Sequence, residues 1–251
     1  MTKPRPSVLS IAGYDPSGGA GVLADVKTFE QIGVYGFAVT TCITYQNDHT
    51  FEGVHWLSVK KIKKQIYPIL QRYKIKYVKI GLIENLIVLN EIIELLVAYH
   101  PGIVIIWDPI LRASAGFDFH KKLSQKRLQY IFEKITLITP NWKEIQALSG
   151  EKDEVKGAEN IAACCSVYLK GGHNIETPAT DMLWIGKRLD ILHPTGISEW
   201  NKHGTGCVLS AAVTAYLALG NGMHSSCLMA KDYTYQFIMS NPSNLGYHAT
   251  V

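Results

Sequence analysis

No C-x-x-C pair, no G-x-x-x-x-G-K-[ST] loop and no G-x-G-x-x-G fingerprint occurs in the 251 residues. The first absence, with an odd count of five cysteines (Cys42, Cys164, Cys165, Cys207, Cys227), argues against a disulfide framework and a structural zinc site. The other two exclude the P-loop and dinucleotide-binding designs of phosphate recognition. Long apolar runs are missing as well. Nothing approaches the ~18 residues of a membrane-spanning helix, and the apolar run within residues 1–13 is too short for a secretory signal. Charge of one sign is also scarce, with a net charge of only +4. The densest basic stretch, Lys60, Lys61, Lys63 and Lys64, is interleaved with Ile62, Ile66, Ile69 and Leu70. That spacing makes it the solvated face of an amphipathic helix, not a nucleic-acid patch. Pro68 is expected to bend that helix or shift its start. The chain reads as cytoplasmic, with neither nucleic acid nor membrane as a partner.

What is present is ample for a sizeable core: 47% of the residues are apolar. There is no repeat, low-complexity tract or linker. Short apolar runs at 7–12, 38–45, 77–80, 103–107, 137–139 and 167–170 predict buried strands. Between them, amphipathic patterns predict helices over 20–32, 60–73, 86–99, 121–134 and 142–148. Residues 182–185 and 188–192 predict a β-hairpin, and 207–219 and 226–239 two closing helices. Strands separated by helices define a mostly parallel sheet covered on both faces, because each crossover must cover a sheet face. The expectation is a single three-layer α/β/α domain over 1–251, with ligands beyond the C-terminal ends of its strands.

The residues able to do chemistry fall just after those strands. Asn201-Lys202-His203-Gly204-Thr205-Gly206-Cys207 leads straight into a helix of small residues. Its glycines let the backbone approach a ligand, and the first amides of a helix point at any anion placed there. The turn is either a pocket for a phosphoryl group in transfer or a glycine-rich turn with Thr205 as helix cap. Cys207 lies in the first helical turn, where exposed amides favour a thiolate, so its pKa is expected below the usual ~8.5. It could then take a proton from a substrate hydroxyl. A buried inert cysteine is the other reading.

Gly13-Tyr14-Asp15-Pro16-Ser17-Gly18-Gly19-Ala20-Gly21 is a loop wrapped against a small ligand, or a plain strand-to-helix turn. In Thr139-Pro140-Asn141-Trp142-Lys143-Glu144, Asn141 and Glu144 share one face of a starting helix. Glu144 could hold a hydrated magnesium ion beside ATP phosphates, or the two could form a capping box. Asp108 could hold magnesium or orient a phosphate, and Lys170 could neutralise phosphate charge; both could equally be ordinary loop residues. Gln46 and Asn47 could read the edge of a heterocycle, since an amide both donates and accepts, or simply form a turn.

Taken in order, these segments resemble the hydroxymethylpyrimidine/phosphomethylpyrimidine kinases of thiamine biosynthesis, in the ribokinase-like superfamily. The resemblance covers nearly the whole chain. It runs from Ile11-Ala12-Gly13, Asp15 to Gly21, Ala24-Asp25 and Gln46-Asn47 through Lys79-Ile80-Gly81 and Asp108-Pro109. It continues with Thr139-Pro140-Asn141, Glu144 and Lys170-Gly171-Gly172-His173, and closes on His203 to Cys207. It implies ATP-dependent phosphorylation of a hydroxymethyl group and then of the resulting monophosphate. On the same ground, Gly204, Thr205 and Gly206 form an anion hole, with Cys207 where many sugar kinases have an aspartate base. Asn141 and Glu144 match an N-x-x-E element linked to magnesium and phosphate. Gln46 matches the pyrimidine-binding position, with Asp25 and the Gly13 backbone nearby, and the family is commonly homodimeric.

Three departures stand out. Tyr14 is bulkier than the small residue usual there; Ser114-Ala115-Gly116 replaces the family's serine-glycine pattern in a lid segment; and residues 150–167 look short enough to have a helix trimmed. Two rival readings remain. Some pyridoxal kinases share the pattern but typically carry a second cysteine in the lid; residues 111–119 have none, and Gln46 favours an aminopyrimidine. A non-catalytic binding module is the other rival, against which Asp108, Glu144, Lys170 and Cys207 stand together.

Overall fold

A computed structural model of the chain describes residues 4–112, 123–173 and 178–248. In chain order the elements are β1 (Ser7–Tyr14), α1 (Gly21–Ile32), β2 (Tyr35–Gln46), β3 (Phe51–Trp56), α2 (Val59–Arg72), β4 (Tyr77–Ile80), α3 (Leu86–Tyr99) and β5 (Val104–Trp107). There follow α4 (Gln125–Phe132), β6 (Leu137–Ile138), α5 (Trp142–Ser149), α6 (Glu154–Ala162), β7 (Ser166–Leu169) and a short 3-10 turn, Gly171–His173. The hairpin β8 (Asp181–Ile185) and β9 (Arg188–Leu192) precedes the long helices α7 (Thr205–Ala218) and α8 (Met223–Met239).

All nine strands form one sheet in the order β3-β2-β1-β4-β5-β6-β7-β8-β9. Its centre, β2 to β7, is parallel, and the pairs β2–β3, β7–β8 and β8–β9 are antiparallel. The apolar character of the central strands follows from burial on both faces: Val8, Leu9, Ile11 and Ala12 are all inaccessible to solvent. One face is covered by α2 to α6, whose Ile62, Ile66, Leu89, Ile92, Leu128, Ile145 and Ile161 join the largest apolar cluster. The other face is covered by α1, α7 and α8 through Phe29, Ala211, Ala212, Val213, Cys227 and Ala230. This is the expected three-layer α/β/α fold.

α7 is buried almost all round, from Cys207 to Ala215, because it sits between α1 and α8 on the middle of the sheet. Its small residues let the neighbouring backbones close in. The helix therefore aims its N-terminus at the point where strand order reverses around β1, the switch point at which open α/β sheets bind ligands.

Four stretches bear on the remaining expectations. β3 is an additional strand; it lies at the sheet edge and pairs only with β2, so burial imposes no clear alternation on it. Pro68 lies inside α2, which starts at Val59, so of the two expected effects a shifted start does not occur. The stretch expected to have a helix trimmed contains the nine-residue α6, which starts behind Asp153, whose carboxylate accepts from the Lys156 amide. The helix expected over 121–134 is described only as α4, and the lid residues Ser114, Ala115 and Gly116 lie outside the described residues.

Candidate active site

β1 runs into the loop 15–20, and the Asp15 carboxylate organises it. It accepts from the Ser17 amide (2.9 Å), the Ser17 hydroxyl (2.8 Å) and the Ala20 amide (2.9 Å). Burial pushes the Asp15 pKa up, but the hydrogen bonds from His203 and Ser17 outweigh it and hold the carboxyl below its ordinary value. The loop then meets the start of α7 backbone to backbone. A Cβ on Gly204 would stand 1.9 Å from the Gly19 carbonyl oxygen, and Gly204 has a φ of +78°, so glycine is required there on both counts. Gly204 occupies the N-cap position without any side-chain cap, so Thr205 is the first helical residue and not the cap.

The turn 204–207 faces two charged groups. A Cβ on Gly206 would lie 3.3 Å from Lys170 Nζ and 3.8 Å from Asp108 Oδ2. Lys170 follows β7 and donates to Asp108 Oδ1 at 2.9 Å, with Glu144 Oε2 at 3.8 Å. Asp108 follows β5 and also accepts from the hydroxyls of Thr139 and Ser210. Burial opposes ionisation of Asp108, but the Lys170 and Lys79 charges outweigh it and hold its pKa below the ordinary value. For Lys170, burial is outweighed by the two carboxylates, and its pKa rises. Glu144 has the opposite balance. Burial, aided by the Asp108 charge, overrides Lys170 and pushes it up to about 7. Asn141 and Glu144 do form a capping box: Asn141 accepts from the Glu144 amide at 2.9 Å, and Glu144 accepts from the Asn141 amide at 2.8 Å. The same carboxylate thus caps α5 and stands beside Lys170.

The expected acidic Cys207 is not what the fold provides. The thiol is only 5% exposed. Burial pushes it up to about 11, against the opposing pull of the Lys79 charge and a hydrogen bond from Gly21. The helix-end amides favour a thiolate, but removing the sulfur from water costs more. In the free protein Cys207 is a thiol.

These groups line one cavity of about 280 Å³. Gly13, Gln46, Phe51 and Leu82 contribute an apolar wall with one carboxamide, while Asp108, Glu144 and Lys170, with the Asn141 amide, contribute the charged and polar part. Gly204 to Cys207 line it too, as do Asp15 and His203. Asp25 does not. Its oxygens accept from Lys79 Nζ, both at 2.9 Å, and from Ser10 Oγ at 2.5 Å, all fully buried. Asn47 is spent on a turn, accepting from the His49 and Thr50 amides. Sequence reasoning missed Phe51, Leu82, Arg112 and the Asp15–His203 contact as parts of the site. The two residues of that contact stand 188 positions apart, and nothing in their local sequence signals the meeting.

A parallel sheet read at its switch point, with a helix N-terminus facing a lysine and two carboxylates, defines the ribokinase-like class of small-molecule kinases. The sequence profile of the phosphomethylpyrimidine kinase family matches residues 15–251, and the chain belongs to that family. A hydroxymethylpyrimidine/phosphomethylpyrimidine kinase of Aquifex aeolicus is 34% identical over 248 residues, covering 95% of this chain and 96% of the relative. The crystal structure of a phosphomethylpyrimidine kinase from Clostridium difficile is 32% identical, with a TM-score of 0.78, and covers 92% of this chain and 99% of that one. A pyridoxal kinase from Staphylococcus aureus in complex with ADP superposes with a TM-score of 0.84 at 25% identity, covering 98% of this chain and 94% of that one.

Proposed function

We propose that the protein transfers the γ-phosphoryl group of ATP to the hydroxymethyl group of hydroxymethylpyrimidine, and then phosphorylates the resulting monophosphate to the diphosphate, in thiamine biosynthesis. The observation that carries this reading is the place of Gly206, whose absent side chain leaves room between the first amides of α7 and the Lys170 ammonium. An anion in that gap meets helix-end amides and a cation together, as a phosphoryl group in transfer requires. The carboxamide of Gln46 reads the pyrimidine edge, with the Gly13 backbone beside it and Asp25 held beneath the site by Lys79.

In the reaction the alcohol oxygen attacks the γ-phosphorus, the bond to the β–γ bridging oxygen breaks, and ADP leaves. The amides of Gly204, Thr205, Gly206 and Cys207 and the Lys170 charge stabilise the transferring group. The hydroxyl proton goes to the Cys207 thiolate, a minor form in the free protein, so turnover climbs with pH. Among the described residues no set of three or more His, Cys, Asp or Glu side chains is arranged to hold a metal. A hydrated magnesium ion shared with ATP phosphates needs only one or two carboxylates, and Glu144 and Asp108 fit that demand, with Asn141 fixing the Glu144 backbone. When bound, that ion neutralises phosphate charge.

The same reading carries a single kinase domain, a homodimer and a cytoplasmic location; no described helix is long and apolar enough to cross a membrane. The superposition on a pyridoxal kinase favours one rival, phosphorylation of pyridoxal. Magnesium-dependent ATP consumption, measured side by side with hydroxymethylpyrimidine and pyridoxal, decides between them. The expected result is preference for the pyrimidine. Preference for pyridoxal overturns the choice of substrate, and tight pyrimidine binding without turnover overturns the enzyme.

A further inference from the structure

His203 Nε2 stands 2.8 Å from Asp15 Oδ2, and both side chains are buried although both line the cavity. The contact joins two glycine-rich turns that the proposed reaction uses. On one side, the same Asp15 carboxylate gathers the amides of Ser17 and Ala20, so the loop is wound around it. On the other, His203 directly precedes Gly204, the N-cap of α7. The fit between the turns leaves no slack. A Cβ on Gly19 would lie 2.6 Å from the His203 ring, and one on Gly204 would lie 1.9 Å from the Gly19 carbonyl oxygen. His203 is itself pinned from behind, since its amide donates to the Asn244 carbonyl at 2.9 Å. The Asn244 side chain reaches the Asp48 carbonyl in the turn that follows Gln46. Just beyond the loop, the Gly21 amide reaches the Cys207 sulfur.

We infer that His203 is a positioning residue for phosphoryl transfer, latching the loop around Asp15 to the start of α7. The loop forms part of the wall around the acceptor alcohol, and the α7 turn holds the phosphoryl group, so the latch sets the distance between the two reacting atoms. An N–H donor at the Nε2 position suffices for this; the ring takes no part in proton transfer. Misplacement of reacting groups by about 1 Å can cost on the order of 100-fold in rate. The loss should therefore appear in turnover and not in nucleotide affinity, because Lys170, Asp108 and Glu144 are carried by other elements, after β7, after β5 and in α5.

The inference rests on the phosphotransferase reading, and the wild-type protein tests that reading in the same assay. The experiment compares wild type, His203→Ala and His203→Gln for kcat and KM with hydroxymethylpyrimidine, for ADP affinity, and for thermal unfolding. The glutamine amide can place an N–H near the Nε2 position. His203→Ala should lower kcat by ~30-fold or more with ADP affinity changed by less than ~3-fold, and His203→Gln should recover most of the loss. Should His203→Ala fail to fold, His203→Asn, whose shorter amide falls short of Asp15, takes its place. The inference is overturned by unchanged kcat, by equal loss in the alanine and glutamine variants, or by ADP affinity falling in step with turnover. An inactive wild type would instead overturn the kinase reading itself.

Discussion

The fold contains two lysine–aspartate pairs built from the same chemical parts and put to different use. Lys79 and Asp25 are wholly withdrawn from water, and Asp25 is further closed off by Ser10. Lys170 and Asp108 make the same 2.9 Å contact, but their lysine stays 17% exposed and is shared with a second carboxylate, Glu144. The first pair is saturated: every charge has its partner and nothing faces the cavity. The second has more carboxylate than one ammonium can neutralise, and it opens toward the amides of α7. A charged pair that can still take an ion is a site; one already closed on itself is framework. This difference separates Asp25 from Asp108 more sharply than their residue type or neighbours in sequence do.

Removing one partner from each pair tests the contrast. Lys79→Met leaves Asp25 buried and unpaired, and should cost about 3–5 kcal/mol of stability in urea unfolding. A loss near zero would mean that the pair is not framework at all. Lys170→Met should instead act on chemistry, lowering kcat/KM for ATP on the order of 100- to 1,000-fold while costing less stability than Lys79→Met. If the two variants behave alike, the contrast fails.

Cys207→Ala should lower the first phosphorylation step by ~100-fold, and the wild-type rate should keep rising above pH 8, as a thiol held at about 11 demands. A rate that is flat from pH 6 to 9 would remove Cys207 as the proton acceptor. The smallest effect concerns Glu144. Its pKa rises from 4.5 to about 7 on folding, so between those values the native state holds more protons than the unfolded chain. Stability of the protein without ATP or magnesium should therefore fall as pH climbs through that window, by about 1–3 kcal/mol, and Glu144→Gln should remove the slope. A stability that rises through the window would reverse the assignment.

Much of the fold was legible because its central strands are buried on both faces and most of its helices on one, so the apolar pattern reports those elements directly. The edge strand β3 escaped for the complementary reason, since its residues are at most partly buried and the exposed Glu52 and His55 interrupt them out of step with a strand period. The lining of the cavity was legible wherever one short segment supplies it, as at Gly204 to Cys207, and so was the Asn141–Glu144 capping box. The site was not legible where a property belongs to tertiary burial. The acidity of Cys207 came out reversed, because local sequence shows the helix end but not the loss of water around the sulfur. Asp25 sits in a motif just after the loop 15–20, yet its carboxylate turns away to a lysine 54 positions downstream.

The central claim is that the start of α7 and Lys170 hold the transferring phosphoryl group between them, and Gly206 is where that claim is most exposed. Its φ is not in the left-handed region, and a Cβ there would first meet Lys170 Nζ at 3.3 Å, so a side chain at this position occupies the phosphate's place without straining the backbone. The decisive measurement is the rate of both phosphorylation steps in Gly206→Val, with thermal unfolding as control. The account predicts a loss of ~100-fold or more in each step with a melting temperature near that of wild type. Unchanged rates in a folded Gly206→Val protein would contradict it.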